Sequence, residues 1–322
     1  MKKNELNIVF MGTPDFAVES LKAIIKSDRS VSAVVTSPDK PAGRGKSIKS
    51  SPVKEFALKN NLKVLQPANL KDPSFIDELK SLNVNLMVVV AFRMLPEVVW
   101  SLPEFGTLNL HASYLPEYRG AAPINWAIIN GEKETGVTTF FINKDIDTGK
   151  ILFREKIKIG DEETAGDLHD KLMISGAALV LQTLDAIESG TVNPLDQQVV
   201  LPGHTLKIAP KIFTADCHIN WSDKVEKVYN FIRGLSPYPG AWTELIGEDG
   251  EKQVLKIFQA GKIVIGHNVN PGTIESDNRK LFRIAVKNGY IDVKNVQLAG
   301  KKRLDTEAFL RGFPDLMKYR LK

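Results

Sequence analysis

One cysteine, Cys217, stands among the 322 residues. A disulfide framework within the chain is therefore excluded, as is any cysteine cluster around zinc or iron–sulfur. His169, His204, His218 and His267 are scattered and lack metal-ligand spacing. No apolar run reaches the roughly 18 residues that a membrane span needs. The opening MKKNELNIVF has no apolar stretch followed by a small-residue cleavage site. No secretory signal is expected, and the expected location is the cytoplasm. Internal repeats and low-complexity tracts are also missing. Gly12-Thr13-Pro14 follows a short apolar run, but neither Gly-x-Gly-x-x-Gly nor a Gly-Lys-Ser/Thr ending is there. A dinucleotide or ATP site is thus poorly supported, and a tight turn lining a cleft is the better expectation.

What is present is a globular composition, with 43% hydrophobic and 25% charged residues. The length suits two domains of ordinary size, or one large one. Forty-three Lys+Arg against 38 Asp+Glu give a formal charge of +5. The excess is unevenly spread. Residues 1–206 hold 23 basic and 25 acidic side chains, and residues 207–322 hold 20 and 13. The last third is therefore the basic part, and a polyphosphate chain is the usual partner of such a surface.

The first half alternates strand and helix patterns. Asn7–Met11, Val31–Thr36, Leu86–Ala91 and Thr107–His111 read as strands. Residues 15–27, 53–60, 74–82, 96–102 and 124–129 read as helical. Gly136–Ile142 and Ile151–Ile159 read as a hairpin-like pair, and 164–188 as a long helix. The unbroken run Leu86–Ala91 is what a parallel strand covered on both faces requires. The fold class expected is α/β: an open, mostly parallel, Rossmann-like sheet over 1–189. Residues 190–206 are turn-rich and read as a linker. Residues 207–322 carry one helix, 224–233, and short strands at 255–258, 263–265, 272–274, 282–286 and 290–296. That pattern, with Asn288-Gly289 as a turn, suggests a small OB-like β-barrel.

Two side chains two apart on a strand share a face, so Asn109 and His111 point the same way. They lie near a strand's carboxyl end, where open α/β sheets build their sites. An amide donor beside an imidazole can hold a developing oxyanion. Asp147, in the polar turn Asp145-Ile146-Asp147-Thr148-Gly149, could keep His111 protonated or orient it. A second segment, 37–52, has Pro38, Pro41 and Pro52, Gly43 and Gly45, and no apolar period. Its Lys40, Arg44, Lys46 and Lys49 face only Asp39 in charge. Such a glycine-hinged basic loop can reach for phosphates and order on binding. Arg44 is the first choice for a specific contact, because guanidinium suits planar bidentate recognition. Trp126 and Trp221 read as packing residues, and Trp242 as core or a stacking platform. Lys301-Lys302-Arg303 is either a solvated turn or part of a nucleic-acid track.

The run from Leu108-Asn109-Leu110-His111 through Arg119-Gly120-Ala121-Ala122-Pro123 resembles the signature of the 10-formyltetrahydrofolate-dependent formyltransferases. In that family Asn, His and a downstream Asp form the catalytic set, which matches Asn109, His111 and Asp147. Phe10–Ala17, the basic loop 37–46 and Ile232–Trp242 resemble the members whose acceptor is an aminoacylated tRNA. The resemblance spans nearly the whole chain. Two departures occur: Tyr114 where many relatives have Leu, and Ala91-Phe92-Arg93-Met94-Leu95-Pro96 in place of Ala-Tyr-Gly-x-Ile-Leu-Pro.

The resemblance implies formyl transfer from 10-formyltetrahydrofolate to the α-amine of initiator methionyl-tRNA. It implies a folate site lined by Ser113, Tyr114, Leu115 and Pro116, with Phe92, Arg93 and Met94 nearby. It places Lys40, Arg44, Lys46 and Lys49 on the tRNA. No metal, membrane or obligate protein partner is called for, and a monomer is expected. A small-amine formyltransferase would leave the basic second domain and the Arg44 loop without a purpose. A non-catalytic tRNA-binding protein would have no need of Asn109, His111 and Asp147 together.

Overall fold

The structure, a computed structural model, describes residues 5–42, 47–200 and 205–321. The chain divides into two compact units. One comprises Met1–Gly120, Thr135–Lys158 and His169–Ile208; the other comprises Ala121–Glu134, Ile159–Leu168 and Ala209–Lys322. Residues 121–134 and 159–168 thus belong with the second unit, and the expected linker 190–206 falls within the first.

The first unit is built on one sheet. Its strands are β1 (Asn7–Gly12), β2 (Ser30–Val35), β3 (Val64–Leu65), β4 (Leu86–Val90), β5 (Thr107–His111), β6 (Glu134–Phe141) and β7 (Ile151–Lys158). Their order is β7-β6-β5-β4-β1-β2-β3. Strands β1 to β5 pair in parallel, and β6 runs antiparallel to β5. The expected Rossmann-like sheet is borne out. Ile8, Val9, Phe10 and Met11 are all fully buried, because both faces of β1 are covered. On one face Val9, Met11, Ala33, Val35, Met87 and Val89 form a core with Phe75, Leu79 and Val99.

Local chemistry sets the helix starts. Helix α1 (Asp15–Lys26) follows β1 directly. Helix α2 (Pro52–Lys59) opens with Pro at its first position, and the Ser51 hydroxyl accepts the Lys54 N–H. Helix α3 (Pro73–Ser81) does the same with Asp72 and Ser74. Two further helices, α4 (Glu97–Trp100) and α5 (Pro123–Ile129), follow. Helix α6 (Ala165–Ser189) is long and apolar enough, by length and composition, to cross a membrane. Leu172, Leu179, Val180 and Leu184 on it are buried in protein, and its Thr183 hydroxyl meets that of Thr139 on β6 at 2.7 Å.

In the second unit, helix α7 (Val225–Gly234) packs with α5 and with an antiparallel sheet. Its strands are β8 (Ala241–Ile246), β9 (Lys252–Val264), β10 (Ile274–Ser276), β11 (Phe282–Val286), β12 (Gly289–Leu298), β13 (Leu304–Asp305) and β14 (Arg320–Leu321). The order is β10-β11-β12-β9-β8-β14, with β13 on β12. This is the small barrel-like sheet expected, with two corrections. The runs 255–258 and 263–265 are one strand, β9. Its pairing with β12 shifts register at Gln259 and continues past Ala260-Gly261, where the apolar pattern lapses. Strand β8 and a helix at Thr306–Gly312 are further elements that the sequence pattern does not announce. Trp221 is buried with its indole N–H on the Thr243 hydroxyl, and Trp242 donates to the Thr214 carbonyl at 2.7 Å. Burial raises the Cys217 thiol above its ordinary range, and its Sγ–H donates to the Phe213 carbonyl at 3.3 Å.

Candidate active site

Strand order reverses between β1 and β4, and ligands of open α/β sheets sit beyond the carboxyl ends at such a point. Gly12 ends β1 beside Val90 of β4. A Cβ on Gly12 would stand 2.6 Å from the Ala17 Cβ and 3.0 Å from the Val90 carbonyl oxygen. Only glycine lets the chain turn there into α1, which is the tight-turn role expected of Gly12-Thr13-Pro14.

Asn109 lies one strand over, beside Val89 of β4, and His111 ends β5 opposite Thr138. Asn109 is half-buried, and among the described residues nothing holds its side-chain amide. His111 is buried. Its Nε2 sits 2.9 Å from the Tyr118 carbonyl oxygen. A carbonyl only accepts, so Nε2 carries a proton in every charge state of the ring. Nδ1 then faces Asp147, 3.7 Å from Oδ2. That spacing exceeds a hydrogen bond. Asp147 Oδ2 also accepts the Gly120 N–H at 2.9 Å. The Asp147 backbone is left-handed, with φ at 53°. Asp is one of the few residues that tolerates this, at a cost of about 1–3 kcal/mol. His111 and Asp147 therefore meet at the carboxyl end of β5, with Asn109 two residues back on the same strand.

Other expected residues are spread differently. Ser113 is fully buried and donates to the Glu117 carbonyl at 2.6 Å. Leu115 is fully buried in a cluster with Phe140 and Ile151, and Pro116 is buried too. Of this quartet only the Tyr114 side chain is partly exposed; the Arg154 guanidinium lies over its ring at 4.2 Å. Phe92, Arg93 and Met94 follow β4. Arg93 Nη1 donates to the Ala68 carbonyl at 2.9 Å and Nη2 to that of Pro67, while Met94 is exposed. Burial lowers the Arg93 guanidinium from its ordinary range. A cavity of about 690 Å³ is lined by residues 68–71 and 93–98. It includes Arg93 and Met94 but none of Asn109, His111 and Asp147.

The basic segment is more ordered at its root than a plain loop. Lys40–Ala42 pairs antiparallel with Ser47–Lys49, placing exposed Lys40 and Lys49 opposite each other. Arg44 and Lys46 lie outside the described residues. Asp39 anchors the root through Lys54 at 2.5 Å and Gln66 at 2.9 Å. The Lys54 and Gln66 hydrogen bonds hold its carboxyl below the usual carboxylate range. In the second unit Lys301, Lys302 and Arg303 are all exposed, with Arg303 over the Phe258 ring at 4.3 Å. Among the described residues no group of three or more His, Cys, Asp or Glu side chains is placed to hold a metal ion.

Two residues beside Asp147 received no role from the sequence. Arg119 sits inside the matched run, and burial lowers its guanidinium while the Asp147 charge works against that. Gln197, in a short helix at Gln197–Val200, hydrogen-bonds both Arg119 and the Asp147 turn. A lone buried Gln in a polar stretch leaves no periodic signal.

Residues 6–184 match the family model described as formyl transferase, and residues 211–314 match formyl transferase, C-terminal domain. The chain belongs to the formyl transferase family. Among its curated relatives is the methionyl-tRNA formyltransferase of Bacteroides thetaiotaomicron, 53% identical over 313 residues and 97% of each chain. That of Parabacteroides distasonis is 51% identical over 321 residues and 99% of each chain. Solved structures share the fold. WlaRD, a sugar 3N-formyl transferase, aligns at 22% identity and TM-score 0.63 over 93% of this chain and 100% of its own. HypX from Aquifex aeolicus aligns at 16% identity and TM-score 0.65, over 96% of this chain and 48% of its own.

Proposed function

We infer that this chain transfers the formyl group of 10-formyltetrahydrofolate to the α-amine of initiator methionyl-tRNA. The observation behind this reading is identity above half, over nearly full length, to a relative called methionyl-tRNA formyltransferase. The pairing of His111 with Asp147 at the carboxyl end of β5, and Asn109 on the same strand, support it.

The acceptor's neutral amine attacks the formyl carbon, and the carbonyl oxygen gains negative charge; collapse of that intermediate breaks the bond from the carbon to the donor nitrogen, which takes up a proton and leaves as tetrahydrofolate while the amine loses one. The Asn109 amide, which no described residue holds, donates to that oxygen. His111 adds a second donor through Nδ1, because Nε2 is engaged by the Tyr118 carbonyl. Asp147 stabilises the charged imidazole and takes part in moving the amine's proton. Donors fixed in advance act where water is displaced and need no reorganisation during reaction. For the folate, the partly exposed Tyr114 and the cavity wall at Arg93 and Met94 are the best-supported contacts; Phe92 adjoins them. Ser113, Leu115 and Pro116 shape that site from beneath, since their side chains are buried. The chain acts in the cytoplasm as a monomer, with 1–189 for chemistry and the basic 207–322 for the tRNA.

Lys40, Arg44, Lys46 and Lys49 meet tRNA phosphates. Arg44→Ala lowers kcat/KM for the tRNA about tenfold, roughly one charge-assisted contact, and leaves the folate KM within about twofold. Equal loss on both substrates removes that role. The deciding assay is transfer of labelled formyl to charged initiator tRNA, with free methionine and charged elongator methionine tRNA alongside. Label on the initiator alone is expected. Label on no tRNA, from a folded protein that binds folate, moves the acceptor to a small amine.

A further inference from the structure

We propose that Gln197 is a positioning residue for formyl transfer, fastening the Asp147 turn to Arg119 from the stretch between the two family domains. The proposal rests on the reading of Asp147 as part of the catalytic set. Gln197 is 3% exposed. Its Nε2 donates to the Asp147 carbonyl at 2.9 Å and to the Gly149 carbonyl at 2.8 Å. Its Oε1 accepts from Arg119 Nε at 3.0 Å and Nη2 at 2.6 Å. This uses the whole amide. The opposite orientation would set NH2 against guanidinium and oxygen against two carbonyls, so the surroundings dictate one arrangement.

Both ends of Asp147 lead back to the same dipeptide. Its carboxylate accepts the Gly120 N–H, and its carbonyl reaches Arg119 through Gln197. Two residues before Gln197, Leu195 exchanges both backbone hydrogen bonds with Ile151 of β7, each 2.8 Å. The stretch read as a connector is thereby tied to the sheet. A left-handed Asp persists only where its surroundings hold it, and these bonds do so. Without them the carboxylate moves relative to His111, and a misplacement of about 1 Å costs on the order of 10²-fold in rate.

The test is a double-mutant cycle on the full chain. Gln197→Met keeps the volume and removes all four bonds. It is expected to lower kcat about 10- to 100-fold with both KM values within about twofold. In an Asp147→Asn background the same change is expected to cost less than about threefold, since the group it positions is already gone. Gln197→Glu keeps an acceptor for Arg119 but turns oxygen toward two carbonyls, and is expected to be at least as slow as Gln197→Met. If Gln197→Met does not fold, Gln197→Glu read in the same cycle decides. Wild-type kcat in Gln197→Met, with Asp147→Asn inactive, overturns the proposal alone. A loss that multiplies fully with Asp147→Asn also overturns it, because that is general structural damage. Near-wild-type kcat in Asp147→Asn instead removes the catalytic reading of Asp147, and the proposal with it.

Discussion

Asn109→Ala lowers kcat by about 10²–10³-fold and leaves the fold in place, the usual cost of one oxyanion donor. The substitution is a clean one. No described residue depends on the Asn109 amide, and the neighbouring Leu108 and Leu110 stay buried on either side. His111 would be a poorer probe, because its ring also holds the Tyr118 carbonyl in a buried position. Steady-state rates at saturating donor and tRNA, with a thermal melt of the variant, check this. A melt like the wild type's with an unchanged kcat would strip Asn109 of its role.

The same run of residues illustrates what the sequence made legible. Parallel strands announced themselves because burial on both faces demands unbroken apolar runs, as at β1 and β4. Asn109 and His111 could be paired because strand spacing fixes their face. Asp147 lies 36 positions beyond His111, in a polar turn like many others; the residues offer it as a possible partner, and the family resemblance singles it out. Gln197 was out of reach: TVNPLDQQ has the composition of a solvated connector, and burial of one side chain leaves no pattern. Ser113 and Leu115 show the reverse limit. A matched motif marks residues that matter, but not whether they face ligand or core. Strand β9 reads as two runs in the sequence because Ala260-Gly261 interrupts the apolar period while the backbone pairing runs on.

Gly149→Ala is expected to be the most damaging small substitution in the first unit. A Cβ there would lie 1.6 Å from the Phe141 carbonyl oxygen and 2.8 Å from its carbon. Both are backbone atoms, so no side chain can rotate away and the strand ends must part. Overpacking of this kind costs about 3 kcal/mol or more. For a unit of this size that is a fall in Tm of roughly 6–12 °C. Turnover should fall further than the melt alone explains, because Asp147 is two residues away and Gly149 supplies one of the Gln197 acceptors. Melting curves and kcat measured well below the transition separate the two effects. A variant that melts and turns over like the wild type would mean the strand ends have room to spare.

The second unit is not one stretch of chain, and this bears on where a gene can be cut. Arg233, 5% exposed, donates to the carbonyls of Gly160 at 3.3 Å and Glu163 at 2.8 Å. The Asn125 amide caps the Gly234 carbonyl at 2.8 Å. A fragment starting at residue 209 would keep every strand of the barrel yet leave that guanidinium and that carbonyl without these partners. Recombination that grafts a new C-terminal module at the apparent boundary inherits the same defect, unless the recipient brings matching segments at 121–134 and 159–168. Shuffled chains are then filtered by interleaved sequence rather than by the linker, which favours descent of the two halves together.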